Sequence, residues 1–387
     1  TNIVMLFYKY TFRKQWNFSY IFCKKSNFVL FRFYGNDNSY KKNHIKIMII
    51  DEKVEHIVEK TLSISIAAYN VEKFLKNTLN SLVAPEIMDD IEVLIVDDGS
   101  KDNTAVIGKE FEDNYPNSFK VISKPNGGYG STINAAIDVA TGKYFKTLDG
   151  DDWYDTGNFV KLISDLKRID ADMIITPFTC VNEVTGEKEV LKSDKQFIGK
   201  LMEFETLPLE LHPNIKMHSI TYKTSLLKEN HIRIGEHCFY TDIEYVIFPM
   251  IYVKNVYFLD YSVYQYRIGL EGQSVSWEGF KKHYKDHLKV TERILKLYTE
   301  KQKTALSKEK DAFIFFILQG LISTQYRIFL HMDNTVQTRQ ELVDFDKMIK
   351  NQNHMLYETS GGKQITMLRK CNFKLLGAFH FYSKWKE

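Results

Sequence analysis

The chain has 387 residues, 44% hydrophobic and 26% charged, with a net charge of +3; that length holds one large domain or two smaller ones, and the charge balance does not suggest a nucleic-acid partner. Four cysteines, Cys23, Cys180, Cys238 and Cys371, stand apart without a CxxC pair, so neither a disulfide framework nor a zinc site is indicated and a reducing, cytoplasmic setting is expected. No apolar run reaches the roughly 18–20 residues of a membrane span, and no apolar segment with a small-residue cleavage site marks a leader.

The charge is unevenly spread. Residues 1–47 carry nine Lys or Arg against the single Asp37 and contain no Ala, Glu or Pro, while the other 340 residues carry 43 basic and 48 acidic side chains. A basic, aromatic arm for a membrane or nucleic acid is one reading of this segment. The other, adopted here as the expectation, is translated upstream sequence, with the protein proper opening at Met48 and 1–47 a non-native or disordered extension.

From Leu62 the pattern turns regular. "LSISIAA" (62–68) predicts a buried strand, and "VEKFLKNTLNSLV" (71–83) a helix with Val71, Phe74, Leu75, Leu79 and Leu82 on one face. Strands over 91–98, 119–123, 143–148 and 172–176 alternate with helices over 99–115, 129–140 and 158–169. Such alternation predicts an α/β fold, a mostly parallel sheet with helices on both faces. After residue 177 it stops. A strand leading into a helix is expected over 217–230, a helix over 241–253, and two strands between 256 and 268. Helices are expected over 277–300, 308–331 and about 336–350, making a mainly helical C-terminal region. "AFIFFILQGLIS" (312–323) is apolar all round but short, which fits a buried core helix. The end, 363–387, mixes Lys and Arg with Phe, Leu and Trp; it suits either an anionic membrane surface or an ordinary terminal helix.

In an open parallel sheet, ligands bind beyond the carboxyl ends of the strands. Here those ends read "AAYN" (67–70), "DDGS" (97–100), "KPNGG" (124–128) and "DGDD" (149–152). Each alone is a common turn; all four at the proper intervals make one polar edge. Carboxylates crowded past a buried strand repel one another. A hard divalent cation, Mg²⁺ or Mn²⁺, relieves that repulsion, and such ions take one or two carboxylates plus substrate phosphates. Asp149-Gly150-Asp151 therefore predicts a metal–diphosphate site. There is no GxxxxGK[ST] and no strand-borne GxGxxG, which argues against a P-loop ATPase or a dinucleotide dehydrogenase.

The run "SISIAAYN…VDDGSKDNT…KPNGGYGSTINAA…TLDGDDW" resembles family 2 glycosyltransferases of the GT-A fold over residues 62–177, with a weaker likeness through "TDIEYV" to about 276. The resemblance implies a Rossmann-like sheet and inverting transfer of a sugar from a nucleotide donor, usually a UDP-sugar, to the hydroxyl of a glycan or lipid-linked acceptor. It divides the chain into a nucleotide-sugar half at 61–177, an acceptor-side catalytic half at 178–276 and the helical region at 277–387. Position by position, it implies that Ala67, Tyr69 and Asn70 line the base and ribose pocket and that Asp98 accepts from the pyrimidine ring N–H. Lys124, Asn126 and Gly127 belong to the donor loop. Asp149 faces the ribose or metal, Asp151 binds the metal, and Asp152 supports their loop.

Asp242 in "YTDIEY" matches the catalytic base; Glu244 is its understudy, and an N-cap role is the plain alternative for Asp242. Three departures stand out: Ala67 replaces a Pro or Thr, Ile133 an Arg that Lys124 could replace, and Thr241 precedes the base where Glu is common. Arg267 is a phosphate-contact candidate, Gln273 and Ser274 sugar-hydroxyl candidates, and His218 and His237 further candidates. The QxxRW motif of processive synthases is not present, so single addition is expected, in cell-surface, capsular or exopolysaccharide synthesis. A nucleotidyltransferase would want a basic Gly-rich loop where "AAYNVEKF" stands; a non-catalytic nucleotide-sugar binder is the remaining alternative.

Overall fold

The computed structural model describes the backbone of residues 8–12, 16–23, 28–35 and 45–48, and residues 60–377 apart from 193–194, 209–214, 270–275 and 303–305. The chain divides into two compact units, Thr1–Ile57 and Val58–Glu387. In the first, β1 (Tyr8–Phe12), β2 (Trp16–Cys23), β3 (Phe28–Gly35) and β4 (Ile45–Met48) pair antiparallel in chain order.

The second unit opens with the expected alternation: β5 (Leu62–Ala68), α1 (Glu72–Asn80), β6 (Ile91–Asp97), α2 (Thr104–Asn114), β7 (Phe119–Ser123), α3 (Tyr129–Val139) and β8 (Tyr144–Asp149). It continues through β9 (Trp153–Tyr154), α4 (Thr156–Leu166), β10 (Met173–Ile175), β11 (Phe178–Asn182), β12 (Lys188–Leu191) and β13 (Leu201–Glu203). Then come β14 (Ile220–Lys223), α5 (Thr224–Glu229), α6 (Asp242–Met250), β15 (Asn255–Phe258) and β16 (Tyr264–Ile268). The helical end comprises α7 (Trp277–Lys282), α8 (Tyr284–Gln302), α9 (Lys308–His331), α10 (Val336–Gln352), α11 (His354–Thr359) and α12 (Gly362–Lys370).

The main sheet has the order β13-β15-β10-β14-β8-β5-β6-β7. Only β13 and β14 run against the rest, so the sheet is mostly parallel, as the alternation predicts. Side chains alternate across it with the strand period of two. On β6, Leu94 and Val96 join a core shared with α3, α5, α6 and the C-terminal helices, while Val93 and Ile95 join a second core under α1, α2 and α4. A smaller sheet, β12-β11-β16-β9, was not anticipated. It is built from a hairpin with an exposed strand, Lys188–Leu191, and a two-residue strand, Trp153–Tyr154, neither of which leaves an apolar pattern. It packs against the second core through Tyr154, Phe178 and Tyr264.

The helix expected over 277–300 is two helices, broken at His283, whose ring stacks on Phe239 at 3.7 Å and pairs with Asp286 at 3.5 Å. The helix Lys308–His331 is long and apolar enough to cross a membrane, but about half of its apolar window is buried inside the fold. Its interior residue Gln325 accepts from His287 at 2.7 Å, so it is packed as a core helix. At the C-terminus, Ile365 and Leu368 of α12 are buried and Arg369 pairs with the buried Asp346 at 2.8 Å. Residues 378–387 lie outside the described residues.

One close approach fixes how the two halves meet. A Cβ on Gly130 would lie 2.0 Å from the Gly235 carbonyl oxygen, so the segment leading to α6 rests directly on the backbone of α3. Asn134, one turn on, pairs through both amide atoms with the backbone of Ile234, at 2.9 Å each. Gly130→Ala should destabilise the protein by roughly 3 kcal/mol, because backbone overpacking exceeds the helix gain of about 1 kcal/mol; urea unfolding with an unchanged midpoint would contradict this contact.

Candidate active site

Three of the four strand tips line one cleft of about 1490 Å³ together with Asn126 and Gly128 from the fourth, and with residues from α6, α8 and α9. The tips are tied to one another. Asn70, at φ 52°, donates its N–H to Ser100 Oγ at 3.1 Å and accepts from Lys101 N–H at 2.8 Å. Gly150 N–H donates to the Ala67 carbonyl at 3.0 Å. Ala67 and Tyr69 face the cleft, and Tyr69 is half exposed; Asn70 acts as the brace behind them.

Asp98 is buried beneath the glycine loop. Its Oδ1 accepts from Lys124 Nζ at 2.6 Å and Gly127 N–H at 2.9 Å, and its Oδ2 from Gly128 N–H at 2.8 Å. Oδ2 thus keeps one lone pair on the cleft side, enough for one more donor. Asn126 donates to the Asp98 carbonyl at 3.0 Å and also lines the cleft. Lys124 is occupied: besides Asp98 it reaches the Pro125 carbonyl and Ser131 Oγ, each at 2.8 Å. All three of its donors hold the loop together, and Ile133 is core, so neither side chain presents a cation to the cleft.

The acidic loop after β8 is held from behind. Thr78 Oγ1 contacts the carbonyls of Gly150 at 3.0 Å and Asp152 at 2.6 Å. The Tyr264 hydroxyl accepts from Asp149 N–H at 3.1 Å and donates to Asp152 Oδ2 at 2.7 Å. Arg267 donates its backbone N–H to Asp152 Oδ1 at 2.7 Å and its Nε to the Asp151 carbonyl at 2.8 Å. Its guanidinium pairs with Glu183 and lies over the rings of Phe74 at 4.9 Å and Trp153 at 4.7 Å. Arg267 and Asp152 therefore brace the loop, while Asp149 and Asp151 reach the cleft wall.

Tyr129, the first residue of α3, donates to Asp149 Oδ1 at 2.8 Å. The sequence reading did not single it out, although it stands inside the quoted "NGGYG". Tyr264 left no local signal, since its partners are more than a hundred residues away.

The electrostatics are those of a site built for positive charge. Burial first, then Asp151, pushes the Asp149 carboxyl up to about 7. Burial likewise raises Asp151, and burial with Asp149 raises Asp152. The ligand atoms of Asp149, Asp152 and His218 lie within 4.8 Å of one another. His218 sits among Phe178, Tyr264 and Tyr266, with ring centroids 5.0, 4.8 and 4.3 Å away. Its buried Nδ1 has no hydrogen-bond partner among the described residues. Burial pushes its pKa down to about 3, helped by Lys146 and Lys216, so the imidazole is neutral, the form that ligates metals. Carboxylate oxygens beside a neutral imidazole, one of whose nitrogens is orphaned, fit a divalent cation such as Mn²⁺.

Across the cleft, Asp242 opens α6 and lines the same space as Asp149 and Asp151. The N-cap is Thr241, which makes no side-chain cap bond, and the Asp242 carboxyl takes backbone N–H groups of the first turn, Ile243 among them. Burial raises its pKa. Glu244 points elsewhere: it is fully buried, accepts from Gly235 N–H at 2.7 Å and pairs with Arg293 at 3.3 Å. His237, at φ 50°, donates its N–H to the Gly127 carbonyl and lines the cleft. Gln273 and Ser274 lie outside the described residues.

A nucleotide-type crevice at strand ends, with an acidic cation cradle and a lone carboxylate opposite, is the architecture of the GT-A fold. The chain matches, over residues 63–228, the family model described as glycosyl transferase family 2. Over 220 residues, 55% of this chain, it is 28% identical to the minor teichoic acid biosynthesis protein GgaB of Bacillus subtilis, and spans 23% of that protein. Glycosyltransferase GlyA of Streptococcus pneumoniae is 24% identical over 241 residues, 59% of this chain and 32% of GlyA. The chain thus spans less than a third of either relative. The fold is similar to S. aureus TarS 1–349, solved in complex with UDP-GlcNAc, with a TM-score of 0.58 at 18% identity, covering 83% of this chain and 89% of that one.

Arg267→Met should lower stability by roughly 2–3 kcal/mol, since it strands the buried Asp151 carbonyl and removes a charge-assisted bond. Glu183→Gln, at a carboxylate with 43% of its side chain exposed, should cost less than about 1 kcal/mol. Equal losses for the two variants in denaturant melts would show that the loop does not depend on Arg267.

Proposed function

We propose that this chain is an inverting, metal-dependent glycosyltransferase that moves a sugar from a nucleotide donor, a UDP-sugar, to an acceptor hydroxyl in cell-surface, capsular or exopolysaccharide synthesis. The observation that carries the reading is that Asp149 and Asp151 share one cleft with Asp98 on the nucleotide side and Asp242 on the other. UDP heads the donor panel because TarS 1–349 was solved with UDP-GlcNAc and because the free lone pair of Asp98 Oδ2 suits a pyrimidine ring N–H. Tyr69 offers an exposed ring for the base, and the Asn126 and Gly128 backbone borders the ribose side.

Asp149, Asp152 and His218, whose ligand atoms converge, would hold a divalent cation, with Asp151 on the same cleft wall; such an ion supplies charge stabilisation for a departing diphosphate. Tyr129 fixes the orientation of Asp149, and Tyr264 and Arg267 hold the loop that carries Asp151. On the opposite side the Asp242 carboxylate takes the proton from the acceptor hydroxyl, a contribution of typically about 10²- to 10⁴-fold. Attack from that face, opposite the diphosphate, inverts the anomeric centre. The free thiols of Cys180, Cys238 and Cys371 agree with a cytoplasmic place of action.

Two outcomes test this. With Mn²⁺, the protein should slowly hydrolyse at least one sugar nucleotide from a UDP and GDP panel, and EDTA should stop it; no turnover with any donor refutes the assignment. Asp242→Asn should reduce transfer at least a hundredfold while UDP binding by calorimetry is retained. In the wild type, transfer should fall on acidification through a pKa above the usual carboxylate range, because only the deprotonated Asp242 accepts the proton and burial holds that pKa up.

A further inference from the structure

Beyond Asp242 the cleft has an arm whose lining comes from residues after the family-matched segment. One wall is aromatic. Phe239 is 45% exposed and stacks on His283 at 3.7 Å; Tyr240 stacks on Phe280 at 5.3 Å. His287 meets Tyr240 and Phe280 edge-on, at 5.5 and 5.9 Å. With its Nδ1–H donated to Gln325 Oε1 at 2.7 Å, the His287 ring keeps Nε2 as an acceptor. α9 supplies another part of the lining, where Gly320 borders the cleft and a Cβ built on it would meet nothing within 4 Å. A glycine inside a 24-residue helix weakens that helix by roughly 0.5–1 kcal/mol relative to Ala, so open space there has a cost without a packing reason.

Charge in the arm is equally telling. The described lining residues of α7, α8 and α9 include Asp286 and no Lys or Arg. Lys216, the one Lys or Arg among the described lining residues of the cleft, acts on Asp242 and His218, so a phosphodiester chain entering between α7, α8 and α9 would meet the Asp286 carboxylate first, and bringing like charges together in a half-buried cleft is costly. An uncharged pyranose has an apolar face for an aromatic wall and hydroxyls for an imidazole nitrogen and a carboxylate.

We propose that this arm is the acceptor subsite and that it takes an uncharged pyranose, seated on Phe239 and the Tyr240–Phe280 pair, with Gly320 leaving the room for its ring. The assignment rests on the glycosyltransferase reading above and adds to it the chemical class of the acceptor. In this arrangement α7–α9 select the acceptor, and the family-matched half serves the donor.

The test uses the full chain with UDP and Mn²⁺, and saturation-transfer NMR on a panel of methyl hexosides set against oligomeric glycerol phosphate. Wild type should show transfer to at least one neutral hexoside and none to the polyanion. Gly320→Leu fills the open space, and its fold is checked by thermal melting, where the helix should be no less stable. It should abolish hexoside binding, and Phe239→Ala should weaken it about fivefold, the scale of one aromatic contact. Binding of glycerol phosphate in place of hexosides, binding of no hexoside, or hexoside binding unchanged by Gly320→Leu each overturns the proposal. Calorimetric uptake of UDP in the wild type reports separately on the donor site, so failure of the glycosyltransferase reading is seen as loss of that signal and not of the hexoside signal alone.

Discussion

Aspartates held close together at the end of a buried strand repel one another and resist leaving water, and the structure is organised around making that tolerable. Asp149 accepts from Tyr129, its backbone donates to Tyr264, and Asp152 receives a hydroxyl and an N–H. Arg267 reaches this loop through a carbonyl and a backbone N–H, with its guanidinium turned to Glu183 and the faces of Phe74 and Trp153. Arg267 thereby stands beside the loop, near enough to offset part of the rise that burial gives Asp151. The small sheet exists in this sense to deliver β16: Tyr264 and Arg267 stand three residues apart on the strand that pairs with β9, immediately after the acidic loop.

A second constraint follows from placing the Asp242 carboxylate in the same cleft as that loop. Asp242 must come from a distant part of the chain and still be held close to the nucleotide side. Glycine makes the approach possible: the Gly235 carbonyl sits where a side chain at Gly130 would be, and His237 binds the Gly127 carbonyl. Between that contact and α6 the backbone passes through positive φ at His237 and Tyr240, conformations that L-residues adopt at a cost. Tyr240 is compensated by its stacking on Phe280. Glu244, the second carboxylate of "TDIEY", is used to anchor this same segment through Gly235 and Arg293, which explains why two acids so close in sequence have different tasks.

What the sequence disclosed follows from range. The strands β5 to β8 are short apolar-rich runs ending in turn residues, so their succession, their helices and the convergence of their tips were all legible, as were helix Lys308–His331 and strand Phe119–Ser123 to the residue. The hairpin Phe178–Leu191 was not, because one of its strands is exposed and its partner β16 lies some eighty residues on. The same holds for the site. Tips such as Asp98 and Asp149 announce themselves locally, whereas the division of labour between Asp151, which faces the cleft, and Asp152, which faces Tyr264 and Arg267, depends on contacts across more than a hundred residues. Lys124 shows the opposite limit. It is a cation in a donor loop by position, and a closed three-way brace by geometry.

The two sides of the cleft are made of different material, and this has a mechanistic meaning. The nucleotide side is mostly backbone and short side chains: the carbonyl of Ala67 bound to Gly150, the N–H groups of Gly127 and Gly128 on Asp98, and the carboxylates themselves. Such groups are positioned by the sheet and cannot be altered without disturbing it. The far side is made of side chains, Phe239 from the loop before α6 and Phe280 and His287 from α7 and α8, with α9 beside them, where a substitution changes the shape of the arm and leaves the sheet untouched. On the proposed function, a site that recognises a diphosphate and serves varied acceptors is well served by this separation. The backbone carries what is common to every reaction of the class, and exchangeable side chains on a separate helical wall carry what differs.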